Sequence, residues 1–436
     1  MRQHRITAAA LSTVFMGLGQ LYNRQYVKGL SFFVFYVLAI VYAIKNLYHG
    51  LWGIITLGET KQKLVLVGKV YQKIPGDHSI FLMIEGLITI FVALLTVYFL
   101  IMNILDAYKG GKLREEGKTL SGIADTLKFI VDKKFPHLII TLPLIFVFFF
   151  SVLPIIFSVL IAFTNYNRTH EPPGNLVDWQ GFRAFKDLLG LSQWAHTFLG
   201  VFSWTMIWAV LSTFTTFFGG FAVALLVQQK GIRLKSLFRA IYMVPFAIPS
   251  FLSLLIMRNL FNDEVGPINA LLLKFGIVGP PWLSDPTWAK ATIILVNFWL
   301  GFPLSMLLVI GILVTIPRDL YEAAEVDGAS AFFKFKSITF PSVMFSLAPI
   351  VISQFMGNIN NFNVIFLLTN GGPTNSQYQF AGHTDILITW LYGLSVTNAR
   401  YNFAAVVSIF LFIIIAFFAL VSFRRTRSFR EDDMLR

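Results

Sequence analysis

The sequence predicts an all-α, polytopic membrane protein with about eight transmembrane helices. Its 436 residues are 56% hydrophobic and 13% charged, whereas about 25% of the residues in soluble proteins are charged. The mean hydropathy of +0.69 agrees with this composition. A helix that crosses a bilayer needs about 20 mostly apolar residues, because its backbone groups must be satisfied within the segment. Eight stretches meet this requirement: residues 29–48, 80–105, 136–163, 197–227, 240–260, 291–316, 342–369 and 401–423.

The N-terminal region differs from the rest of the chain. Residues 6–21 are apolar, but the stretch is short and is interrupted by Gly17 and Gly19. We therefore expect an interfacial or re-entrant helix there rather than a full span. With two spans and a basic cytoplasmic linker it forms a region of residues 1–134. Residues 135–436 form a core of six spans.

Prolines inside the spans predict kinked or broken helices. Membrane proteins tolerate them where neighbouring groups satisfy the carbonyls that proline leaves free. The prolines concerned are Pro143, Pro154, Pro245, Pro249, Pro303 and Pro349. A straight, rigid bundle is not expected.

Lysine and arginine predict the orientation, since they favour the cytoplasmic side of a membrane. One set of loops, together with both termini, contains 23 of the 35 basic residues. We therefore expect a multi-pass protein of the cell membrane with both termini in the cytoplasm. The stretch 45–73 carries five lysines on the opposite side and fits this assignment least well. The net charge of +13 is thus explained by topology rather than by nucleic-acid binding.

The composition excludes several functional classes. The chain has no cysteine, which excludes thiolate metal sites, disulfides and cysteine nucleophiles. The seven histidines are scattered among termini, loops and span edges, so no catalytic residue and no metal site is predicted. No GxxxxGK[ST] loop occurs, so we expect no cofactor on this chain and no ATP hydrolysis by it. An ion-coupled transporter would place charged groups inside its spans, where this chain has almost none beyond Glu85 and Asp106 near span ends.

A cytoplasmic loop, residues 318–341, follows the sixth span and reads RDLYEAAEVDGASAFFKFKSITFP. Ala323 and Ala324 favour a helix, Gly328 ends it, and a second amphipathic piece runs to Pro341. The exposed face should present three carboxylates, those of Glu322, Glu325 and Asp327. A cytoplasmic partner with a groove and an arginine could bind this helix-turn-helix. An ordinary interfacial helix with a glycine turn is the alternative.

The loop resembles the EAA loop of ATP-binding-cassette import permeases. The family pattern is EAA, three residues, Gly, nine residues, Ile, one residue, Leu-Pro. The matching residues are Glu322, Ala323, Ala324, Gly328, Ile338 and Pro341, while Phe340 replaces the usual leucine. In that family the loop sits in a cleft of the ATPase subunit and couples ATP-driven closure to the spans. The resemblance implies this coupling role for the matching residues and also for Asp327, which directly precedes Gly328.

The similarity extends over most of the chain to the MalF-like permeases of maltose and maltodextrin importers, within the family of binding-protein-dependent transport inner-membrane components. NFWLGFP at 297–303 and NINNFNVIFLLTNGGP at 358–373 carry it further. Residues 164–196 alone separate the third and fourth spans, so the chain resembles the shorter Gram-positive type, without the long Gram-negative insertion. The resemblance implies a type I ABC importer permease fold and a transport subunit rather than an enzyme.

The resemblance also implies the partners. They are a second, MalG-like permease, a dimeric cytoplasmic ATPase that holds ATP and Mg, an extracellular sugar-binding lipoprotein, the lipid bilayer and an oligosaccharide. No nucleic acid is expected. The implied function is import of an oligosaccharide by alternating access, with maltodextrin as the first choice. A permease for raffinose-type, galacto- or multiple sugars is the alternative, and an ion-coupled sugar transporter is less favoured.

The seventh span is rich in amides: Gln354, Asn358, Asn360, Asn361 and Asn363. An amide in hydrocarbon costs free energy unless it finds a partner, so these side chains should face a cavity or another helix. Asn358 and Asn361 share one helical face, which Gln354 joins. The other possibility is that they bond helix to helix.

The resemblance suggests a sugar site at this face. Asn358 and Asn361 match amides of the family's maltose site, and Gly301 on the sixth span matches a glycine of that site. Gln354 and Gly357 depart from the family's residues, Gly357 replacing an aromatic residue. We expect Asn358, Asn361, Gly301 and Gln354 to contact substrate, with Phe355 or Phe362 as candidate stacking rings.

Overall fold

The computed structural model describes residues 3–67, 69–118, 132, 135–229 and 231–425. These residues are predominantly helical, with one two-stranded sheet among them, which confirms the predicted class. The chain divides into two compact units, Met1–Phe182 and Arg183–Arg436. The domain boundary predicted between residues 134 and 135 adjoins residues outside the described part and stays a prediction.

Seven described helices are long and apolar enough to cross a membrane, and one sharply bent pair of helices gives an eighth when the pair is counted as one span. Each predicted span coincides with one of these. The helices extend beyond the hydrophobic stretches, as in the second span, where the predicted 80–105 is part of the helix Ser79–Glu115. Hydropathy thus located the spans but underestimated their helical length.

The first unit is built on two long antiparallel helices joined by a hairpin. Its elements are α1 (Gln3–Val14), α2 (Leu18–Tyr22), α3 (Tyr26–Thr56), β1 (Lys63–Val67), β2 (Val70–Ile74), α4 (Ser79–Glu115), α5 (Phe135–Val147), a π-helical turn (Phe148–Val152) and α6 (Leu153–Ile161). The strands pair antiparallel, with Lys63 opposite Ile74 and Val67 opposite Val70. Of the five lysines of the stretch 45–73, Lys45 lies within α3 and Lys61 just before β1, and the other three lie on the hairpin.

The predicted interfacial segment 6–21 is a pair of short helices docked on α4. Gly17 lies between α1 and α2 with φ of 92°, a conformation that glycine adopts without strain. The Asn103 side chain of α4 binds this turn: its Oδ1 accepts from the Gly17 N–H at 3.1 Å and its Nδ2 donates to the Ser12 carbonyl at 3.2 Å. Lys28 and Asp106 form an ion pair of 2.5 Å nearby. Buried polar contacts thus fix the N-terminal pair.

The second unit contains the remaining helices. They are α7 (Arg183–Gly190), α8 (Ser192–Gln228), α9 (Lys235–Ala247), α10 (Ser250–Leu260), α11 (Pro267–Lys274), α12 (Pro286–Thr315), α13 (Arg318–Val326), α14 (Ala331–Lys334), a π-helical turn (Phe335–Thr339), α15 (Phe340–Ile359), α16 (Phe362–Leu368), α17 (Leu387–Tyr392), a π-helical turn (Gly393–Thr397) and α18 (Tyr401–Arg425).

Helices α8 and α12 form the centre of this unit. A Cβ atom added to Gly220 on α8 would lie 2.6 Å from the Ser305 Cβ and 2.7 Å from the Met306 nitrogen on α12, so the two backbones approach too closely for a larger residue. Two apolar clusters flank this contact. One is built around Trp208 and Ile293, the other around Phe217 and Met306.

The fifth span is broken, as its prolines predicted. Helices α9 and α10 meet at an angle of 89°. Pro245 lies near the end of α9, and Pro249 directly precedes α10. Pro143, Pro303 and Pro349, by contrast, lie inside continuous helices. Two prolines four residues apart break the helix, whereas these single prolines do not.

The seventh predicted span, 342–369, is wrong at both ends. The helix starts at Ala331, because the π-helical turn Phe335–Thr339 carries it through Pro341. Pro341 was expected to end the second helical piece of the loop 318–341, but this piece and the span are one helix. At the other end the helix stops at Ile359. The Asn361 side chain then caps α16 by accepting from the Val364 N–H at 3.4 Å.

A loop of residues 369–386 returns the chain from α16 to α17, and we call it the return loop. Its first residues, Asn-Gly-Gly-Pro at 370–373, form a turn with Asn370 and Gly371 at positive φ. Asp385 closes the loop, since its Oδ2 accepts from the Gly382 N–H at 2.7 Å. A Cβ atom on Gly371 would overlap this carboxylate. Burial raises the pKa of Asp385 to about 6.

This raised pKa predicts a pH-dependent stability. The folded chain holds the Asp385 proton more tightly than the unfolded chain, so stability rises as pH falls from about 6 towards 4 and is lost again as pH rises. The Asp385→Asn variant should be more stable at pH 7 by about 1–3 kcal/mol. It should also lose part of the pH dependence. Thermal unfolding of both proteins in detergent, between pH 4 and 8, measures this. Parallel curves for the two proteins would show that Asp385 titrates normally.

Candidate substrate cavity and coupling loop

The amides of the seventh span meet hydroxyls of the fourth. Along α8, Ser212, Thr213 and Thr216 form a polar stripe on one buried face. The hydroxyls of Thr213 and Thr216 donate to carbonyls one turn earlier on α8, at 2.7 Å and 2.6 Å. Each hydroxyl oxygen also accepts a hydrogen bond from α15, as described below. The two threonines thus join the spans with their own hydroxyls satisfied, whereas the buried Ser212 hydroxyl of the same stripe has no hydrogen-bond partner among the described residues.

Asn358 is bonded between helices. Its side-chain Nδ2 donates to the Thr213 hydroxyl at 3.0 Å, and its backbone carbonyl accepts from the Trp208 indole N–H at 3.0 Å. The residue is 6% exposed. Asn361 donates through Nδ2 to the Asn297 Oδ1 at 3.2 Å, and a longer contact of 3.5 Å joins the same Nδ2 to the Asn358 Oδ1. Asn358 and Asn361 therefore form hydrogen bonds between helices, which was the second possibility that the sequence left open for these amides.

Gln354 and Gly301 instead line a cavity of about 490 Å³. The Gln354 Nε2 donates to the Thr216 hydroxyl at 2.7 Å, which fixes the amide on the cavity wall. A Cβ atom on Gly301 would lie 2.8 Å from the Thr216 Cγ2, so glycine keeps this wall open. Ser305 and Ser353 also line the cavity. The structure therefore places two of the four predicted contact residues on the cavity and two in the adjoining network.

The cavity suits a neutral, hydroxyl-rich molecule. Its polar groups are the Gln354 amide and the Ser305 and Ser353 hydroxyls, each able to donate and to accept. Among the described residues that line it, none carries a charge. The ring on its wall is Phe246, which is 54% exposed.

The predicted stacking rings lie elsewhere. Phe355 packs on Phe418 with ring centroids 5.2 Å apart, and Phe362 packs on Tyr392 with centroids 5.1 Å apart. Sequence reasoning also missed Phe246 and the serines on the cavity. The spacing of Ser212, Thr213 and Thr216 on one helical face was the available signal for the α8 stripe.

The coupling loop, residues 318–341, has the predicted two arms. Helix α13 forms the first arm, and Gly328 turns the chain with φ of 73°. Ser330 then caps the second arm by accepting from the Phe333 N–H at 3.2 Å. Two contacts hold the arms together: Lys334 Nζ lies 2.7 Å from Glu325 Oε1, and the hydroxyls of Tyr321 and Thr339 are 2.9 Å apart.

The outer face of the coupling loop carries exposed charged residues beside exposed apolar ones. Glu322, Ala323, Asp327 and Gly328 are exposed, while Ala324 is half-buried. Three large apolar residues are exposed beside them: Val326, Phe332 and Phe333. Of the other motif residues, Ile338 is half-buried and Pro341 is exposed, both where the second arm enters the span. Such a surface is typical of protein contacts rather than of free solvent.

Comparison with known proteins identifies the family. The family model described as "Binding-protein-dependent transport system inner membrane component" matches residues 216–428. The chain is 40% identical to the galactooligosaccharides transport system permease protein GanP of Bacillus subtilis, over 99% of this chain and 100% of that protein. The chain belongs to this family of membrane transport components. It is also 36% identical to the maltodextrin transport system permease protein MalC of Streptococcus pneumoniae, over 100% of this chain and 99% of that protein.

The fold agrees with this assignment. A chain in the crystal structure of a bacterial alginate ABC transporter, in complex with an alginate pentasaccharide-bound periplasmic protein, superposes with a TM-score of 0.56. The match covers 69% of this permease and 97% of that chain, at 21% identity. The family and the sequence relatives, rather than this superposition, identify the protein as the permease subunit of a sugar ABC importer, a multi-pass protein of the cell membrane. It is a transport component, and a separate ATPase hydrolyses ATP.

The different positions of Gln354 and Asn358 predict different effects of mutation. Asn358→Ala removes a buried interhelical hydrogen bond, so it should lower the stability of the permease by about 1–2 kcal/mol. Gln354→Ala acts at the half-buried cavity wall, where water can replace the lost bond to Thr216, so it should reduce sugar uptake several-fold and lower stability by less than Asn358→Ala does. Thermal unfolding and uptake assays on both variants separate the two effects. Asn363→Ala is the matched control, because Asn363 is exposed. Equal loss of stability in both α15 variants would contradict this division of roles.

Proposed function

We propose that this permease imports a neutral oligosaccharide by ATP-driven alternating access, with galacto-oligosaccharide and maltodextrin as the two candidate substrates. The observation that carries the proposal is the cavity beside Gly301 and Gln354. Its polar groups are neutral hydroxyls and an amide, and it is bounded by three spans of the second unit, α9, α12 and α15. These groups match the donors and acceptors of sugar hydroxyls.

Relatives support both substrates. GanP is named for galactooligosaccharides and MalC for maltodextrin, and the two are similar to this permease over nearly their whole lengths. Maltodextrin was the first choice from the sequence alone. The 40% identity to GanP gives galacto-oligosaccharide equal standing. Both are chains of neutral hexose units, so the same cavity chemistry serves either.

The coupling loop supports the ATP-driven mechanism. Its second arm and the seventh span form one continuous helix, Ala331–Ile359. At about 1.5 Å per residue, about 35 Å of helix joins the loop surface to Gln354. A force applied at the loop can therefore reach the cavity wall along one continuous helix. In the proposed cycle, ATP and Mg close a dimeric cytoplasmic ATPase, the loop moves with it, and the cavity opens outward; hydrolysis returns the inward state.

The proposed partners follow from this cycle. A second, MalG-like permease would complete the pathway, and an extracellular sugar-binding lipoprotein would deliver the oligosaccharide. The loop and both termini would face the cytoplasm, where the ATPase is available. The proposed ATPase-contacting residues are the exposed Glu322, Ala323, Asp327 and Gly328.

A charge reversal at Glu322 tests the coupling loop. Glu322→Lys should reduce co-purification of the ATPase with the permease by about tenfold or more, because the new lysine would repel the arginine expected in the ATPase groove. Sugar-dependent ATP hydrolysis should fall with it. Glu264→Lys makes the same change at an exposed site between α10 and α11 and should affect neither. Full ATPase recovery and full uptake with Glu322→Lys would remove Glu322 from the interface.

Uptake in a deletion strain tests the substrate. Cells that lack this permease should lose uptake of a labelled oligosaccharide from the galacto- or the malto-series, and the intact gene should restore it. Competition between the two series then identifies the preferred substrate. Normal uptake of both series in the deletion strain, with uptake of a charged solute lost instead, would refute the neutral-oligosaccharide proposal.

A further inference from the structure

The return loop contains a second cavity of about 400 Å³, and we call it the return-loop cleft. It lies beyond α16 in the chain and shares no lining residue with the cavity of Gly301 and Gln354. Four aromatic side chains line it: Phe366, Tyr378, Phe380 and Tyr392. Amide and hydroxyl side chains occupy the remaining wall, among them Asn375 and Thr397. Its volume is within the range of about 300–1,000 Å³ for small-molecule sites.

The cleft has a fixed frame. The two halves of the return loop are paired by backbone hydrogen bonds from His383 N to the Pro373 carbonyl at 2.8 Å and from Thr384 N to the Gly371 carbonyl at 3.1 Å. The Thr384 hydroxyl donates to the Gly372 carbonyl at 2.6 Å. On the far side, the Trp390 indole donates to the Gln379 carbonyl at 2.9 Å. A loop held by so many internal bonds presents its side chains in one arrangement.

One wall residue is held in an unfavourable conformation. Phe380 has φ of 56°, in the left-handed region, which bulky residues rarely adopt and which costs about 1–2 kcal/mol. Its ring is 40% exposed, and the Arg400 guanidinium lies 5.9 Å from the ring centroid. Such strain persists where the surroundings impose it, and it is concentrated at binding sites. The loop thus holds an aromatic ring at the cleft at an energetic cost.

The lining indicates the class of ligand. Aromatic rings accept the apolar faces of sugar rings, and amides and hydroxyls bond sugar hydroxyls. Among the described lining residues, Asp385 alone is charged, and the Gly382 N–H already donates to its carboxylate. No Lys or Arg of the described part lines the cleft, so an anionic ligand is disfavoured. A neutral saccharide combines the required apolar face and hydroxyl edge.

We propose that the return-loop cleft binds one end of the oligosaccharide, as a saccharide site separate from the cavity of Gly301 and Gln354. The inference rests on the proposed function for its choice of substrate. Two sites on one permease would allow a sugar chain to be held at the loop while another unit occupies the cavity.

Saccharide titration of the complete importer in nanodiscs, without the binding protein, tests the cleft. Maltotriose and a galacto-trisaccharide serve as probes, and saturation-transfer NMR gives the Kd. Phe380→Gly removes the ring and also suits the positive φ, so the fold is spared. Thr397→Val removes a lining hydroxyl at constant shape. Each should weaken binding by about three- to tenfold, most clearly in a Gln354→Ala background, where the other cavity contributes less.

The controls are Gln377→Ala and Val396→Ala, which change neighbouring exposed residues that do not line the cleft. They should bind like the parent protein. Unchanged Kd values for both cleft variants would overturn the proposal. If binding-protein affinity, measured separately on the same nanodiscs, fell in these variants while the saccharide Kd stayed unchanged, the loop would be a protein contact and the proposal would again be overturned. The titration measures binding and does not depend on transport. Failure of the uptake screen would therefore refute the proposed function, while the titration alone decides whether the cleft binds saccharide.

Discussion

The need to satisfy polar groups inside the membrane determines how the second unit is built. A span that carries amides is stable in a bilayer when those amides find partners within the protein. Gln354 and Asn358 find them in Thr216 and Thr213 of α8. These bonds fix the rotation of α15 about its axis, and the same rotation decides which residues reach the cavity. The packing of the spans and the composition of the cavity wall therefore have one cause.

Close approach of the helices is the second part of this arrangement. The amide and hydroxyl groups are short, so α8, α12 and α15 must lie near one another for the bonds to form. Glycine at 220 allows α8 and α12 to touch through their backbones. Glycine at 301 leaves space beside Thr216, the residue that Gln354 binds. Small residues and hydrogen bonds act together here, as is general where lipid supplies no hydrophobic force between helices.

The sequence predicted the spans well because hydropathy is a property of composition. The break in the fifth span was also accessible, since Pro245 and Pro249 change the backbone locally. The break at Asn360 was not, because nothing in an apolar run with several asparagines marks the residue at which the helix stops. Tertiary contacts decide it: Asn361 binds Asn297 on α12 and caps α16. The π-helical turn before Pro341 and the β1–β2 hairpin depend in the same way on backbone geometry that composition does not encode.

The candidate site shows the same limit at the level of single residues. Helical spacing placed Gln354, Asn358 and Asn361 on one face, but the helix ends between Asn358 and Asn361, so they do not share one environment. Gln354 lies within the intact part of the helix and faces the cavity, and Asn358 and Asn361 lie at its end and bond to α8 and α12. A motif of adjacent amides was thus divided by the backbone into a cavity group and a packing group.

The seventh span is regular in the middle and irregular at both ends, and this pattern bears on how it moves. Its π-helical turn lies beside the coupling loop, and its break at Asn360 lies just before α16 and the return loop. Between them the helix is continuous, although Pro349 inside it has a nitrogen that carries no hydrogen to donate. A helix changes direction at least cost where its i to i+4 bonds are already interrupted. Motion that enters at the coupling loop would therefore bend the span mainly at these two points. The helix between them, which carries Gln354 and part of the cavity wall, would move as one piece.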